Sequence, residues 1–207
     1  MMDPALQAVL AEYERRSERE WQVMKSLPQA EIAARIDEFL ISIGPDTAKL
    51  LHLIITAARA QVIVELGASY GYSTLWLADA ARATGGRVHS LELSEAKVEH
   101  ARGQLRRAGL DAYVEFHVGD ALATLRLLPG PFDFVLVDLW KDLYVPCLDL
   151  FHSKLSPGAF VAADNMIFPP SAEHQAAYRS AVRAKGDLES MLLPVGSGVE
   201  LSKKRGA

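Results

Sequence analysis

Two acidic positions close short apolar runs late in the chain. Asp138 ends FDFVLVD (132–138), and Asp164, followed by Asn165, ends AFVAAD (159–164). If the two runs are neighbouring parallel strands, their tips meet although 26 residues separate the aspartates. Three hard oxygen donors with coordination positions to spare suit Mg²⁺, which keeps waters or substrate oxygens in its shell. Capping of the helices that follow accounts for either acid taken alone. Between them runs Leu139-Trp140-Lys141-Asp142-Leu143-Tyr144. Lys141, three residues past Asp138, is within reach of a proton leaving a metal-bound hydroxyl. The plainer alternative makes Lys141 a solvated first-turn residue and Trp140 part of the core.

Three earlier positions also fall where a strand ends. Glu65-Leu66-Gly67-Ala68-Ser69-Tyr70-Gly71-Tyr72-Ser73 is a glycine-containing turn, where backbone can approach a ligand closely and tolerate positive φ. It is neither the dinucleotide G-x-G-x-x-G nor a phosphate loop ending in Gly-Lys-Ser/Thr, and a plain tight turn would look the same. Glu92 stands 25 positions after Gly67, near the spacing at which a carboxylate holds a ribose diol. The lesser alternative is a cap for the helix beginning at Ser94. Gly119-Asp120 follows the next strand, where Asp120 either meets an adenine edge or serves as an N-cap.

These positions need a scaffold that gathers strand ends. From residue 61 onward, β-branched runs alternate with helical stretches: QVIVEL (61–66), RVHSLEL (87–93), YVEFHV (113–118), and the two runs already named. The intervening helices are predicted over 73–82, 95–108, 120–127 and 143–154. Near-continuous apolar strands in five β-α repeats imply a parallel sheet covered on both faces. A last helix near 172–184 precedes LESMLLPV, the turn Gly196-Ser197-Gly198 and VELSKK, which must pair antiparallel across so short a turn. Upstream, helical spacing predicts helices over 4–25, 29–41 and 46–60, with Gly44-Pro45 separating the last two. The expectation is one domain, with residues 1–60 as a helical layer and 61–207 as an α/β core.

At this point the residues resemble a known family. VELGASYGYST, HSLEL, VDLWKDLYVP and AADNMIFP are similar to the S-adenosylmethionine-dependent, metal-dependent O-methyltransferases of the catechol and caffeoyl-CoA types, over roughly Gly44 to Lys204. D-x-W-K-D-x-Y-x-P and A-D-N-x-I-x-P resemble the catechol type in particular, whereas many relatives carry D-A-D-K where this chain has DLWK. The resemblance implies a doubly wound, mostly parallel seven-stranded sheet with a C-terminal antiparallel hairpin and N-terminal helices. It implies that Glu65, Gly67, Ser69 and Ser73 lie beside the methionine part of S-adenosylmethionine. Glu92 would then meet the ribose, with Asp120 and Ala121 at the adenine. Asp138, Asp164 and Asn165 would hold Mg²⁺ or another divalent cation, with Asp138 also bordering the donor, and Lys141 would be the catalytic base. Trp140, Pro169 and Phe39 would frame the acceptor ring, and the backbone from Ile41 to Ile43 would border the methyl donor. The implied reaction is methyl transfer to one hydroxyl of a catechol-like small molecule.

Rival readings on the same sheet are a non-catalytic adenosyl-binding module and a nicotinamide-dependent oxidoreductase, the latter weakened by the missing G-x-G-x-x-G. Twenty-two basic residues against 26 acidic ones supply no global positive field for a phosphate backbone, so no nucleic-acid partner is expected. No apolar run is long enough for a bilayer, and the first twenty residues carry Asp3, Glu12 and Glu14, so no membrane partner and a cytoplasmic location are expected. The lone Cys147 suits a reducing compartment and reads as a small buried residue. The long N-terminal helix is a lid, a dimer contact or a packing element. The caffeoyl-CoA type implies a homodimer and the catechol type a monomer, so the oligomeric state stays open.

Overall fold

In the computed structural model, which describes residues 2–168 and 171–206, the alternating segments form one seven-stranded sheet. Its strands are β1 (Val62–Leu66), β2 (Arg87–Glu92), β3 (Val114–Val118), β4 (Phe132–Val137), β5 (Leu155–Ala163), β6 (Leu188–Leu193) and β7 (Val199–Lys204), in the order β3-β2-β1-β4-β5-β7-β6. β1 to β5 run parallel, while β7 is antiparallel to both β5 and β6. The strand order reverses between β1 and β4, and ligands of such sheets bind beyond the carboxyl ends at that reversal. β5 starts four residues before the predicted 159–164 and pairs with β4 through a register shift between Phe132 and Phe134.

Side chains alternate across the pleat, so each strand feeds two cores. On one face α1 (Pro4–Ser26), α3 (Gly44–Ala58), α4 (Tyr72–Thr84) and α5 (Glu95–Arg107) bury Leu6, Tyr13, Leu51, Ile55, Leu75 and Leu105. On the other α6 (Ala121–Leu127), α7 (Tyr144–Phe151) and α8 (Ala172–Ala184) bury Leu125, Leu148, Phe151, Tyr178 and Val182. Cys147 is fully buried in this second core, and burial pushes its thiol up to about 12. It is a packing residue, as its sequence context suggested. Among the described residues, no helix is long and apolar enough to cross a membrane.

α1 starts at Pro4 because Asp3 caps it, its Oδ1 accepting from the Ala5 N–H at 2.8 Å. Its first half packs through Leu6, Val9, Leu10 and Tyr13, while Trp21 and Val23 in its second half are exposed. The helix expected over 29–41 is much shorter. α2 covers Gln29–Ala34, a 3₁₀ turn follows over Ile36–Glu38, and the chain is then extended. None of the α2 residues is buried, so no packed stripe carries the helix onward. Phe39, Leu40 and Ile43 reach the interior from the extended stretch instead. The predicted 143–154 helix is likewise α7 flanked by 3₁₀ turns at Lys141–Leu143 and His152–Lys154.

Candidate active site

The glycine turn lies over the tip of β4. Gly67 has φ +95°, and a Cβ there would sit 2.1 Å from the Asp138 carbonyl oxygen, so only glycine allows this approach. The Gly67 and Ala68 N–H groups donate to the Leu91 carbonyl at 2.9 and 3.2 Å, anchoring the turn to β2. Ser69, itself at φ +46°, donates its N–H to Glu92 Oε2 at 2.8 Å. The Ser94 N–H donates to Glu92 Oε1 at 2.9 Å, while α5 itself is capped by Ser94, whose Oγ accepts from the Lys97 N–H at 3.4 Å. Each carboxylate oxygen has a second lone pair, and Glu92 is only partly buried, so a diol can still be received there.

Opposite the turn, the segment Leu40–Ile43 supplies the other wall of a narrow cleft, whose lining also includes Gly67 to Tyr70, Tyr72, Ser73 and Asp138. The N-terminal layer holds the turn in place. The Tyr13 hydroxyl donates to the Tyr70 carbonyl, and the Tyr70 hydroxyl donates to the Asp37 carbonyl at 2.9 Å. The Arg16 guanidinium lies 4.2 Å from the centre of the Tyr70 ring.

Glu65, at the end of β1, is fully buried. Its Oε2 accepts from Thr74 Oγ1 at 2.7 Å and Ser90 Oγ at 2.5 Å, while Oε1 has no hydrogen-bond partner among the described residues. Burial raises its carboxyl above the ordinary range, opposed by hydrogen bonds from Ser73, Ser90 and Thr74. A buried acceptor without a donor is costly unless a ligand supplies one.

The acid pair is built by the β4–β5 ladder. Val137 pairs with Ala163, and one residue further the Asp138 N–H donates to Leu66 O at 2.9 Å and the Asp164 N–H to Val137 O at 3.0 Å. Both acids are thus fixed at adjacent strand tips. Asp164 is 1% exposed, and its Oδ2 accepts from Ser197 Oγ at 3.0 Å and Asn165 Nδ2 at 3.2 Å, while Oδ1 has no partner among the described residues. Asn165 adopts the left-handed conformation (φ +59°), and its carbonyl accepts from Gln175 Nε2 at 2.8 Å. The Tyr144 hydroxyl donates to the Asp164 carbonyl at 3.1 Å.

Burial raises the Asp138 carboxyl well above the ordinary range; the charges of Asp164 and Glu65 add to this, and the Lys141 charge opposes it. Burial pushes Asp164 up to about 6 against hydrogen bonds from Ser197 and the Asn165 backbone and against the Lys141 charge. The buried Asp164 and the partly buried Asp138 resist ionising together, and with one Asp164 oxygen lacking a donor they form a donor set that a hard divalent cation would relieve. The residues present fit such an ion.

The other expected positions divide. Lys141 is partly buried, in the 3₁₀ turn directly after Trp140. Trp140 is 60% exposed, which excludes the core alternative for it. Asp120 caps α6, its Oδ1 accepting from the Ala123 N–H at 2.7 Å, with the partly buried Ala121 beginning the helix. The cleft wall begins at Leu40, and Phe39 is buried with the Arg35 guanidinium 5.6 Å from its ring centre. Pro169 lies outside the described residues. Sequence reasoning missed Ser197, Tyr144, Gln175, Thr74 and Ser90. Of these only Ser197 carried a signal, as the polar centre of a Gly-Ser-Gly turn.

Residues 64–166 match the family model of a methyltransferase domain. A catechol O-methyltransferase of Mycobacterium tuberculosis is 36% identical over 152 residues, covering 73% of this chain and 69% of that protein. A catechol O-methyltransferase of Niastella koreensis is 34% identical over 131 residues, covering 61% of this chain and 59% of that one. The crystal structure of the O-methyltransferase TomG from Streptomyces achromogenes in complex with SAM superposes with a TM-score of 0.76 at 26% identity, covering 100% of this chain and 92% of the other.

Proposed function

Since the chain belongs to the class I S-adenosylmethionine-dependent O-methyltransferases related to the catechol and caffeoyl-CoA enzymes, we propose that its acceptor is a small aromatic vicinal diol and that Asp138, Asp164 and Asn165 hold a divalent cation beside it. The observation that carries this reading is the acid pair at the tips of β4 and β5, with the unpartnered Oδ1 of Asp164 and both carboxyls raised. A cation bound there supplies positive charge that favours the ionised form of an acceptor oxygen.

The protein's own groups do the rest. Glu92 receives the ribose hydroxyls of the donor on the free lone pairs of its two oxygens. Glu65 places buried negative charge behind the turn formed by Gly67, Ser69 and Ser73, suited to the cationic methionine end. Asp120 keeps one carboxylate oxygen for an adenine amino group above Ala121. The Ile41–Ile43 backbone closes the cleft against water. Lys141 takes the acceptor's hydroxyl proton at Nζ. Exposed Trp140 lies along the acceptor ring, with Pro169 assigned to its rim, and the burial of Phe39 beneath Arg35 leaves Phe39 a supporting part in holding Leu40 to Ile43. Holding nucleophile and methyl in line is the largest contribution available, since effective molarities of about 10⁵–10⁸ M follow from orientation alone.

The test is a screen of catechols, flavonoids and phenylpropanoid-CoA esters with labelled methyl donor, with and without chelator. Labelled vicinal-diol product that disappears in chelator and returns with Mg²⁺ is expected. Undiminished product in excess chelator would overturn the metal assignment, and labelling confined to acceptors without a second hydroxyl would overturn the acceptor class.

A further inference from the structure

At the far edge of the sheet, β2 and β3 carry a second set of metal-ligating side chains. Parallel register sets His89 opposite Glu115, and the two-residue period puts His117 on the same face. That is the face of α6 to α8, but α6 has only seven residues, and His89 and His117 remain partly buried while Glu115 is exposed. His89 Nδ1 lies 3.2 Å from His117 Nε2. Glu115 Oε2 is 3.8 Å from His89 Nδ1, and Glu115 Oε1 is 3.9 Å from His117 Nε2. The three side chains bring their ligating atoms within 4.8 Å of one another.

We propose that His89, Glu115 and His117 form a site for Zn²⁺, or a first-row ion of similar preference, that staples edge strand β3 to β2 and is separate from the acid pair. Two nitrogens 2.0–2.1 Å from one tetrahedral ion lie about 3.3 Å apart, close to the separation the rings already have. Glu115 turns a different oxygen toward each ring, at 3.8 and 3.9 Å, and because its side chain is exposed it is free to rotate and bring one oxygen to the third position of a tetrahedral shell. Water takes the fourth position. Two imidazoles and one carboxylate favour Zn²⁺ over Mg²⁺, which prefers oxygen donors throughout, so the two sites select different ions.

The strand itself gives such a site a purpose. β3 pairs with β2 alone, and none of its five residues is fully buried. Few contacts therefore hold this edge, and a ligand binding only the folded form would stabilise it by mass action. The competing arrangement is a hydrogen bond between the two imidazoles, with Glu115 beside Arg87, whose Nη1 is 3.9 Å from Oε2. Both members of that ion pair are about half exposed, so it offers little resistance to displacement.

The test is titration of the metal-stripped protein with Zn²⁺ against a chromophoric chelator in saturating Mg²⁺, together with amide exchange along β3. Wild type is expected to take up one equivalent and to slow exchange over 114–118. His117→Ala and Glu115→Gln should each weaken uptake at least tenfold, and the double variant His89→Ala/His117→Ala should abolish both effects. Asp164→Asn should leave uptake unchanged, which separates this site from the methyl-transfer site and makes the result independent of activity. If the alanine variants do not fold, the visible spectrum of Co²⁺ bound to wild type decides: a tetrahedral spectrum supports the site and an octahedral one overturns it. Uptake that persists in a folded double variant, or is lost in Asp164→Asn, overturns the proposal.

Discussion

Replacing Asp164 by asparagine should stabilise the metal-free protein while removing metal-dependent methyl transfer. An unfolded aspartate ionises near pH 3.9, whereas Asp164 in the fold is pushed up to about 6, chiefly by burial. The folded form therefore holds this proton more tightly than the unfolded chain does. Its penalty is absent below about pH 4, grows as pH rises, and is complete above about pH 6. A difference of about two pK units corresponds to at most about 3 kcal/mol. The substituted amide keeps an acceptor for Ser197 and carries no charge, so most of that penalty should be recovered. For a chain of this size 1 kcal/mol moves Tm by roughly 2–4 °C, giving a gain of up to about 12 °C in EDTA at about pH 8. The gap should close toward about pH 4, where both forms are neutral at this position. Saturating Mg²⁺ should raise wild type, by about 2.7 kcal/mol at a hundredfold excess over Kd, without moving the variant. Calorimetric melting at two pH values checks this. A variant that melts below wild type in EDTA at about pH 8, or a gap that ignores pH, would refute the reasoning.

Substitutions at three further positions probe neighbouring parts of the site. Glu92→Ala removes the acceptor of the Ser69 and Ser94 N–H groups as well as the proposed ribose contacts. Hydrogen bonds to a charged group are worth about 1.5–3 kcal/mol, so calorimetry should show adenosyl affinity falling at least tenfold, and an unchanged Kd would remove Glu92 from the site. Lys141→Ala and Lys141→Arg should both lower kcat by about 10²–10⁴ with partial recovery as pH rises, because guanidinium cannot accept a proton; near-native kcat in the arginine variant would assign Lys141 a purely electrostatic part. Gly67→Ala forces a Cβ against the Asp138 carbonyl at φ +95°, so both Tm and cofactor binding should fall, and a wild-type melting curve with intact binding would contradict the close approach.

The strand tips were readable because the period of a covered parallel strand is plain in FDFVLVD and AFVAAD, and because parallel neighbours must bring their ends together. Asp138 and Asp164 follow from that rule without any knowledge of distance. Their hydrogen-bond partners do not. Ser197 reaches Asp164 only because β7 inserts between β5 and β6, and Tyr144 and Gln175 reach the Asp164–Asn165 backbone from helices whose orientation is set by packing. The Gln29–Ile41 segment misled for a related reason. Its apolar residues recur at helical spacing, yet Phe39 and Leu40 are buried from the irregular stretch after the 3₁₀ turn without needing a helix. At Asp120 the capping contact is what the fold displays, and the chain alone left both options standing.

The insertion of β7 also sets an order of events during synthesis. Until residues 199–204 are available, the β5 edge through Phe160, Val161, Ala162 and Ala163 has no partner on that side, and Asp164 lacks Ser197. At about 5–20 residues per second, the interval between Ala163 and Lys204 lasts roughly 2–8 s. Throughout that time the nascent chain presents an apolar strand edge next to a half-built acid pair, the kind of template on which chains join one another. Release of the final hairpin closes the edge and completes the site in one movement. A chain interrupted within β7 would therefore leave the β5 edge open and Asp164 without Ser197 at the same time.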